Sequence, residues 1–338
     1  RALYSDASIE ESTAVGSQAL LSQTSGRNTA IGYHALQDLV DGTYNTAVGG
    51  EAMENVTSGG SNVGVGTHVL RSLSTGTLNT AMGYQALYTH NNSYCTAIGY
   101  NNTADSNVAI GYHAGLSTNT GGSNTFIGQQ CHGLNQTGYG ITSVGMQAGY
   151  NGTAGIHNTY MGYAAGYGQT GTGGNYNTLI GFYASKTIGA GNNYNTSVGY
   201  YAGGGSGAGV FSGNLNTCIG AYAGTVLTTG IYNTLIGYNA NGNSTTQSYN
   251  TGVGQDVMIQ FSGEQSVAVG NYCLRLTTTS SQTAVGYAAL YGGTLDAENT
   301  ALGFRAGQLR TGGGENVIIG SWAGYQAGTS SRVTFVGR

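Results

Sequence analysis

Two stretches decide the fold: Asn28-Thr29-Ala30-Ile31-Gly32-Tyr33-His34-Ala35 and, much later in the chain, Asn233-Thr234-Leu235-Ile236-Gly237-Tyr238-Asn239-Ala240. They are copies of one motif, Asn-Thr-x-aliphatic-Gly-Tyr-x-Ala, anchored by its glycine. The anchor recurs 20 times, from Gly16 to Gly337, and 11 of the 19 intervals are 17 residues long. A fixed period of that length marks stacked repeats. Propeller blades need about 40 residues, and collagen needs Gly at every third position. The interval of 12 between Gly99 and Gly111 predicts a shortened coil near 99–111, with Asn102 in place of a buried Ala. Intervals of 19, 18 and 21 across Gly162 to Gly220 predict enlarged loops over 162–220.

Because the copies can be compared with one another, each column carries physical information. Gly at every anchor requires a positive φ or a backbone approach too close for a Cβ, and a tight corner after a short strand needs the first. The residue before the anchor is apolar in every copy, while three before it stands Thr in 16 copies and Val63, Val108, Val267 or Val317 in the others. Those two columns are two residues apart and share a strand face, which the Thr-to-Val exchange places inward. The column between them holds Phe126, Tyr160, Leu179, Cys218 and Ile318 among others. It is therefore expected outward or against another chain. Three after the anchor, Ala fills 14 of 19 copies, a tight buried column. Asn precedes the Thr in 14 of 20 copies, and stacked Asn side chains can form hydrogen-bonded ladders.

A unit of this size cannot bury its own inner face, but stacking at about 4.8 Å encloses a continuous thin core. The expected fold is all-β, a parallel β-solenoid or β-roll of about 20 coils and roughly 90 Å in length, with 1–11 as an N-terminal lead-in and 12–338 as one repeat domain. Composition agrees with it. The 338 residues include 62 Gly, 26 Tyr, no Pro and only 22 charged side chains, and so many Gly exclude a helical protein. No run of 18 apolar residues offers a membrane span and no basic stripe offers a nucleic-acid site. The chain begins at Arg1 without a signal-peptide pattern, which reads as a mature or excised fragment.

Runs such as Asn195-Thr196-Ser197-Val198-Gly199-Tyr200-Tyr201-Ala202-Gly203 and Ser106-Asn107-Val108-Ala109-Ile110-Gly111-Tyr112-His113-Ala114-Gly115 resemble the repeats of bacteriophage tail-fibre and other viral fibre proteins. More distantly, they are similar to the head repeats of trimeric autotransporter adhesins, whose period is shorter than 17. The resemblance covers nearly the whole chain. It implies a parallel β-roll, a homotrimer and a role in surface attachment.

Chemistry is sparse. Glycan hydrolysis needs two carboxylates about 5 to 10 Å apart, yet between Asp105 and Asp256 there is no acidic residue and the one full charge is Lys186. Asp38 with Asp41, Glu51 with Glu54, and Asp296 with Glu298 read as solvated loop charges, and no catalytic pair is assigned. His34, His68 and His113 share a column but lie at least two coils apart, too far to hold one metal. Cys95, Cys131, Cys218 and Cys273 fall in different coils, beyond disulfide reach, and should be free. The Gly-rich run 203–207 lacks the Lys-Ser/Thr of a phosphate loop. Neither cofactor nor metal is predicted. Asn-x-Ser/Thr sequons at Asn55, Asn91, Asn101, Asn135, Asn151 and Asn243 follow from composition and matter only in a eukaryotic host.

The candidate binding surface is the tyrosine after the anchor: Tyr33, Tyr84, Tyr100, Tyr112, Tyr163, Tyr200, Tyr238 and Tyr287. Six copies also carry Tyr five residues before it. Stacked coils turn such columns into stripes, which can stack sugars, bind a protein, or simply pack along the rod. Large apolar groups in the column before the aliphatic one, and the near absence of charge from 106 to 255, point to lateral self-association. The expectation is a non-enzymatic structural fibre or shaft protein on a virion or in the extracellular space, self-associated as a homotrimer and attached to a glycan or protein receptor. A glycan-cleaving tail spike and an ice-binding solenoid, the latter suggested by the Thr column, are the alternatives.

Overall fold

The structure, a computed structural model, describes residues 11–338 apart from 90, 103–106, 117–120, 135–136, 153–154, 170–173, 205–209 and 294. Among the described residues every regular element is a short β-strand. The chain is a parallel β-solenoid with a 17-residue repeat, and its contacts group it into two compact units that divide after His157.

In the first unit nine three-residue strands, from β1 (Thr13–Val15) to β9 (Thr142–Val144), each pair in parallel with the next. Register follows the motif, with Thr13 opposite Thr29, Ala14 opposite Ala30 and Val15 opposite Ile31. The second unit repeats this from β10 (Thr159–Met161) through β12 (Thr178–Ile180) and β14 (Thr196–Val198) to the last strand, β22 (Thr334–Val336). The long intervals add a small second pairing between β11 (Gly168–Gln169) and β13 (Thr187–Ile188). Across the short interval the register holds, Thr96 facing Val108, and the buried Asn102 amide donates to the Ala109 carbonyl at 2.8 Å. The expected truncated turn at 103–106 lies outside the described residues.

The face assignment corrects the sequence expectation. In the strands of both units the middle residue is buried and its two neighbours are more exposed. Phe126, Tyr160, Leu179, Cys218, Leu235 and Ile318, expected outward, are core residues at 0–1 % exposure, and Phe335 packs on the same core. The supposedly inward apolar column faces solvent instead, with Ile31 at 40 % and Met82 at 49 %. The physical reason lies one residue earlier. Asn, the middle residue and the anchor Gly alternate on one face, and the Asn ladder needs the interior, where no water competes for its amides.

That ladder runs in register: Asn45 Nδ2 donates to Asn28 Oδ1 at 3.2 Å and to the Gly59 carbonyl at 2.8 Å, and Asn62 repeats the pattern on Asn45. Thr and the aliphatic residue must then point out. The opposite wall is the Ala column together with the residue after it, such as Leu36, Met53 and Leu87. Size is exchanged across this thin core. Gly64 faces Met53, whereas Tyr160 faces Gly166, where any Cβ would strike the Tyr160 ring. At the anchors both expected reasons for Gly operate together. Gly237 has φ +130°, and an added Cβ would collide with the Gly254 carbonyl of the next coil.

Candidate functional site

With Thr and the aliphatic residue outward, the residue after the anchor continues the same outer face. Successive tyrosines there sit one coil apart, close to ring-stacking distance. Tyr84, Tyr100 and Tyr112 form one run, with ring centroids 5.6 and 5.2 Å apart and planes within 14°. Tyr163 and Tyr200 belong to a second run and meet through Phe182, at 5.1 and 5.3 Å. Tyr238 joins it edge-on through Tyr222, while Tyr287 stacks on Phe304. Tyr33 stacks on His34. The tyrosines directly after the anchor, Tyr163 apart, are 41–55 % exposed. The tyrosines five before the anchor make further pairs, Tyr176 with Tyr194 and Tyr232 with Tyr249, on left-handed turns.

Column-by-column reading missed the neighbouring position, two after the anchor, although Tyr183, Tyr201 and Tyr222 occupy it in consecutive coils. Their rings stand against the first column, Tyr200 meeting Tyr201 at 76° and Tyr222 at 80°. The result in the second unit is a two-column aromatic pavement from Tyr163 to Tyr238. A hydrogen bond to Tyr183 raises the Tyr163 phenol above its ordinary range, and partial enclosure, with a hydrogen bond to Tyr200, raises Tyr222. The Lys186 ammonium rests 4.6 Å from the Tyr183 ring centre.

The first unit places its ionisable groups differently. Arg71 bridges Glu54, Nε to Oε2 at 2.7 Å, and Glu51, Nη2 to Oε2 at 3.1 Å. His34 and His68 meet Glu54 and Glu51 at 3.2 and 3.1 Å. Glu51 and Glu54, expected to be solvated loop charges, are thus tied into a half-buried network. Burial alone would raise the Glu54 carboxyl, but hydrogen bonds from Arg71 and His34 outweigh it and hold the group below the usual carboxylate range. A carboxylate so held is a poor proton donor at neutral pH.

One buried contact has the elements of a nucleophile and base. Ser143 Oγ lies 2.7 Å from His132 Nδ1 in the core, beside Cys131. Burial pushes His132 down to about 3 and Cys131 up to about 12. His132 takes the place of the usual Leu or Met and stacks on Phe126 at 4.9 Å. Both side chains are buried and pack the coil. All four cysteines are buried, and none is in a disulfide. Among the described residues no three His, Cys, Asp or Glu side chains converge on a metal position.

The second unit also carries a concave feature. An open cleft of about 350 Å³ lies among Tyr272, Arg275, Tyr287, Tyr291, Arg305 and Gln308, with Ala288 at its floor. Compared with known proteins, the chain matches no family model and no curated sequence.

Proposed function

We propose that this chain is a structural fibre element of a virion or cell surface, acting by binding rather than catalysis. It associates laterally through its outward Thr-x-aliphatic face and presents its aromatic columns for attachment. The observation that carries this reading is the outer face itself. One apolar side chain per coil faces out in register, exposed at Val15, Ile31, Met82, Ile98 and Ile127 in the first unit and at Ile219, Val269, Leu302 and Ile319 in the second, and half-buried in coils such as those of Val48 and Ile236. Aligned apolar columns of this kind are what a partner surface covers. Phe126 and its column, first read as the contact surface, are core and contribute nothing to it. The number three follows from the resemblance to viral fibre repeats. Sedimentation velocity at micromolar concentration tests association: the wild type should exceed 34.4 kDa, and Ile219→Lys with Leu302→Lys should return it to a single chain. A stable wild-type monomer would overturn it.

A second reading, ice binding, gains support from the same correction. Thr side chains now stand outward at strand spacing on a regular parallel sheet, beside aliphatic methyls. Thermal hysteresis of the undiluted protein, abolished by Thr80→Lys, would favour it over lateral association.

A further inference from the structure

We propose that the cleft between Arg275 and Arg305 is a binding site for an acidic saccharide, a sugar ring bearing a carboxylate or sulfate. The inference rests on the attachment reading above and names the ligand class at one place on the surface. Its origin is local in the sequence. Two residues after the anchor, successive coils carry Tyr272, Ala288, Arg305 and Trp322, so a small side chain interrupts a column of large ones. The gap at Ala288 becomes the floor, and Tyr287 and Tyr291 of the same coil become walls. Arg275 and Arg305 lie in the coils on either side, two coils apart, which is about 10 Å along the stack.

The polar groups of the cleft are held by aromatic surfaces rather than by opposite charge. The Arg275 guanidinium stands 5.4 Å from the Tyr272 ring centre and 5.7 Å from that of Tyr291, whose hydroxyl accepts from Nη1 at 2.9 Å. Arg305 stacks over Trp322 at 4.5 Å and Phe304 at 5.2 Å. Among the described residues neither arginine makes an ion pair; Glu315 is taken by Arg332 at 3.0 Å, and Asp256 accepts from Asn239. The Nε atoms of both arginines and Oε1 of Gln308 are buried without a hydrogen-bond partner. Two cations fixed without counter-charge suit an anion, and a guanidinium fork suits a carboxylate or sulfate in particular. Exposed Tyr287 offers a ring on which a sugar face can lie. The volume is that of a small-ligand site. A single strand of nucleic acid would use the same groups, but it needs a basic track along its backbone, and this chain has nine basic residues against 13 acidic.

The test is titration calorimetry on the full chain with four probes: an oligogalacturonate, a sulfated oligosaccharide, a neutral oligosaccharide of equal length and an oligouridylate. One or both acidic saccharides should bind, the tighter one identifying the anion, with affinity falling at least tenfold in Arg275→Gln and in Arg305→Gln. Ala288→Tyr, which fills the cleft with a residue its column already accepts at Tyr272, should abolish binding while leaving both arginines in place. Urea midpoints identify any variant whose fold has changed. Equal affinity for the neutral sugar, insensitivity to all three variants, or preference for the oligouridylate would overturn the proposal. Should a neutral sugar bind and respond to Tyr200→Ala alone, the cleft proposal fails while attachment through the pavement stands. Binding by none of the saccharides overturns this proposal, and association in sedimentation then decides the broader reading separately.

Discussion

The pavement from Tyr163 to Tyr238 and the cleft around Ala288 are built on the same columns of the same unit, yet they offer a partner opposite things. The pavement is a nearly chargeless array of rings with Lys186 its one cation. The cleft is concave, with the Nε atoms of two guanidinium groups and one amide oxygen left without partners. Beneath both runs an unchanged interior of anchor Gly, buried middle residue and Ala wall, with Cys218 and Leu235 under one region and Ala284 and Ala301 under the other. The difference shows how this solenoid separates its tasks. Positions one and two after the anchor stay out of the buried core in nearly every coil, so their chemistry varies from coil to coil at little cost to the fold.

The largest expected effect comes from disturbing what the two regions share. Gly237→Ala under the pavement and Gly286→Ala near the cleft each force a Cβ at φ +130° and +131° into the next coil's anchor carbonyl. Both should destabilise by roughly 3 kcal/mol or more in urea unfolding, since strain and collision add. Gly50→Ala, where the nearest atom lies 4.0 Å away, should stay within about 0.5 kcal/mol. Unequal penalties at Gly237 and Gly286 would break the claim of a common scaffold.

The repeat, the parallel stacking, the glycine corners, the Ala wall and the Asn ladder are all legible in the sequence, because each depends on one column holding one residue type. The facing of the strand was misread for an instructive reason. Thr exchanged with Val suggests burial, but the column of Ala30, Phe126, Tyr160 and Ile318 is the one that excludes every charged side chain while tolerating large changes in volume. Such tolerance is interior when a partner compensates, as Gly166 does for Tyr160. The tyrosine columns were visible as well. The cleft was not, because it arises from contrast between coils: Ala288 is noticeable only once Tyr272 and Arg305 are known to be its stacked neighbours.

A smaller effect sharpens the comparison further. Under the pavement the Asn ladder is continuous, Asn233 Nδ2 donating to Asn216 Oδ1 at 2.9 Å while its Oδ1 accepts from the Asn250 amide at 3.1 Å. Near the cleft Ser266 and Gln282 interrupt it, joined through Ser266 Oγ at 3.0 Å. Asn233→Ala should cost about 1–3 kcal/mol by leaving buried groups unpaired, and Ser266→Ala nearer 1 kcal/mol. Equal costs would mean that the amide ladder adds nothing beyond a single hydrogen bond.

Smallest of all should be the difference between two thiols. Burial pushes both Cys218, beneath the pavement, and Cys273, beneath the cleft, up to about 12. At pH 8 both are protonated and enclosed, so a thiol reagent should label neither in the native protein and both after unfolding in urea. Rapid native labelling of Cys273 alone would show that the cleft opens into the core.

The central claim is that the strand's middle residue is interior and its neighbours face out, which frees the outer columns for function. Ala301 and Leu302 test it most directly, being adjacent residues at 0 % and 48 % exposure. Urea unfolding of Ala301→Lys and Leu302→Lys should be compared at a concentration dilute enough to hold both as single chains. The account predicts that Ala301→Lys loses its cooperative transition, or at least about 3 kcal/mol, because an unpaired charge is buried in a thin core, whereas Leu302→Lys stays within about 1 kcal/mol of wild type. The reverse order, with Leu302→Lys unfolding the coil and Ala301→Lys tolerated, would contradict it.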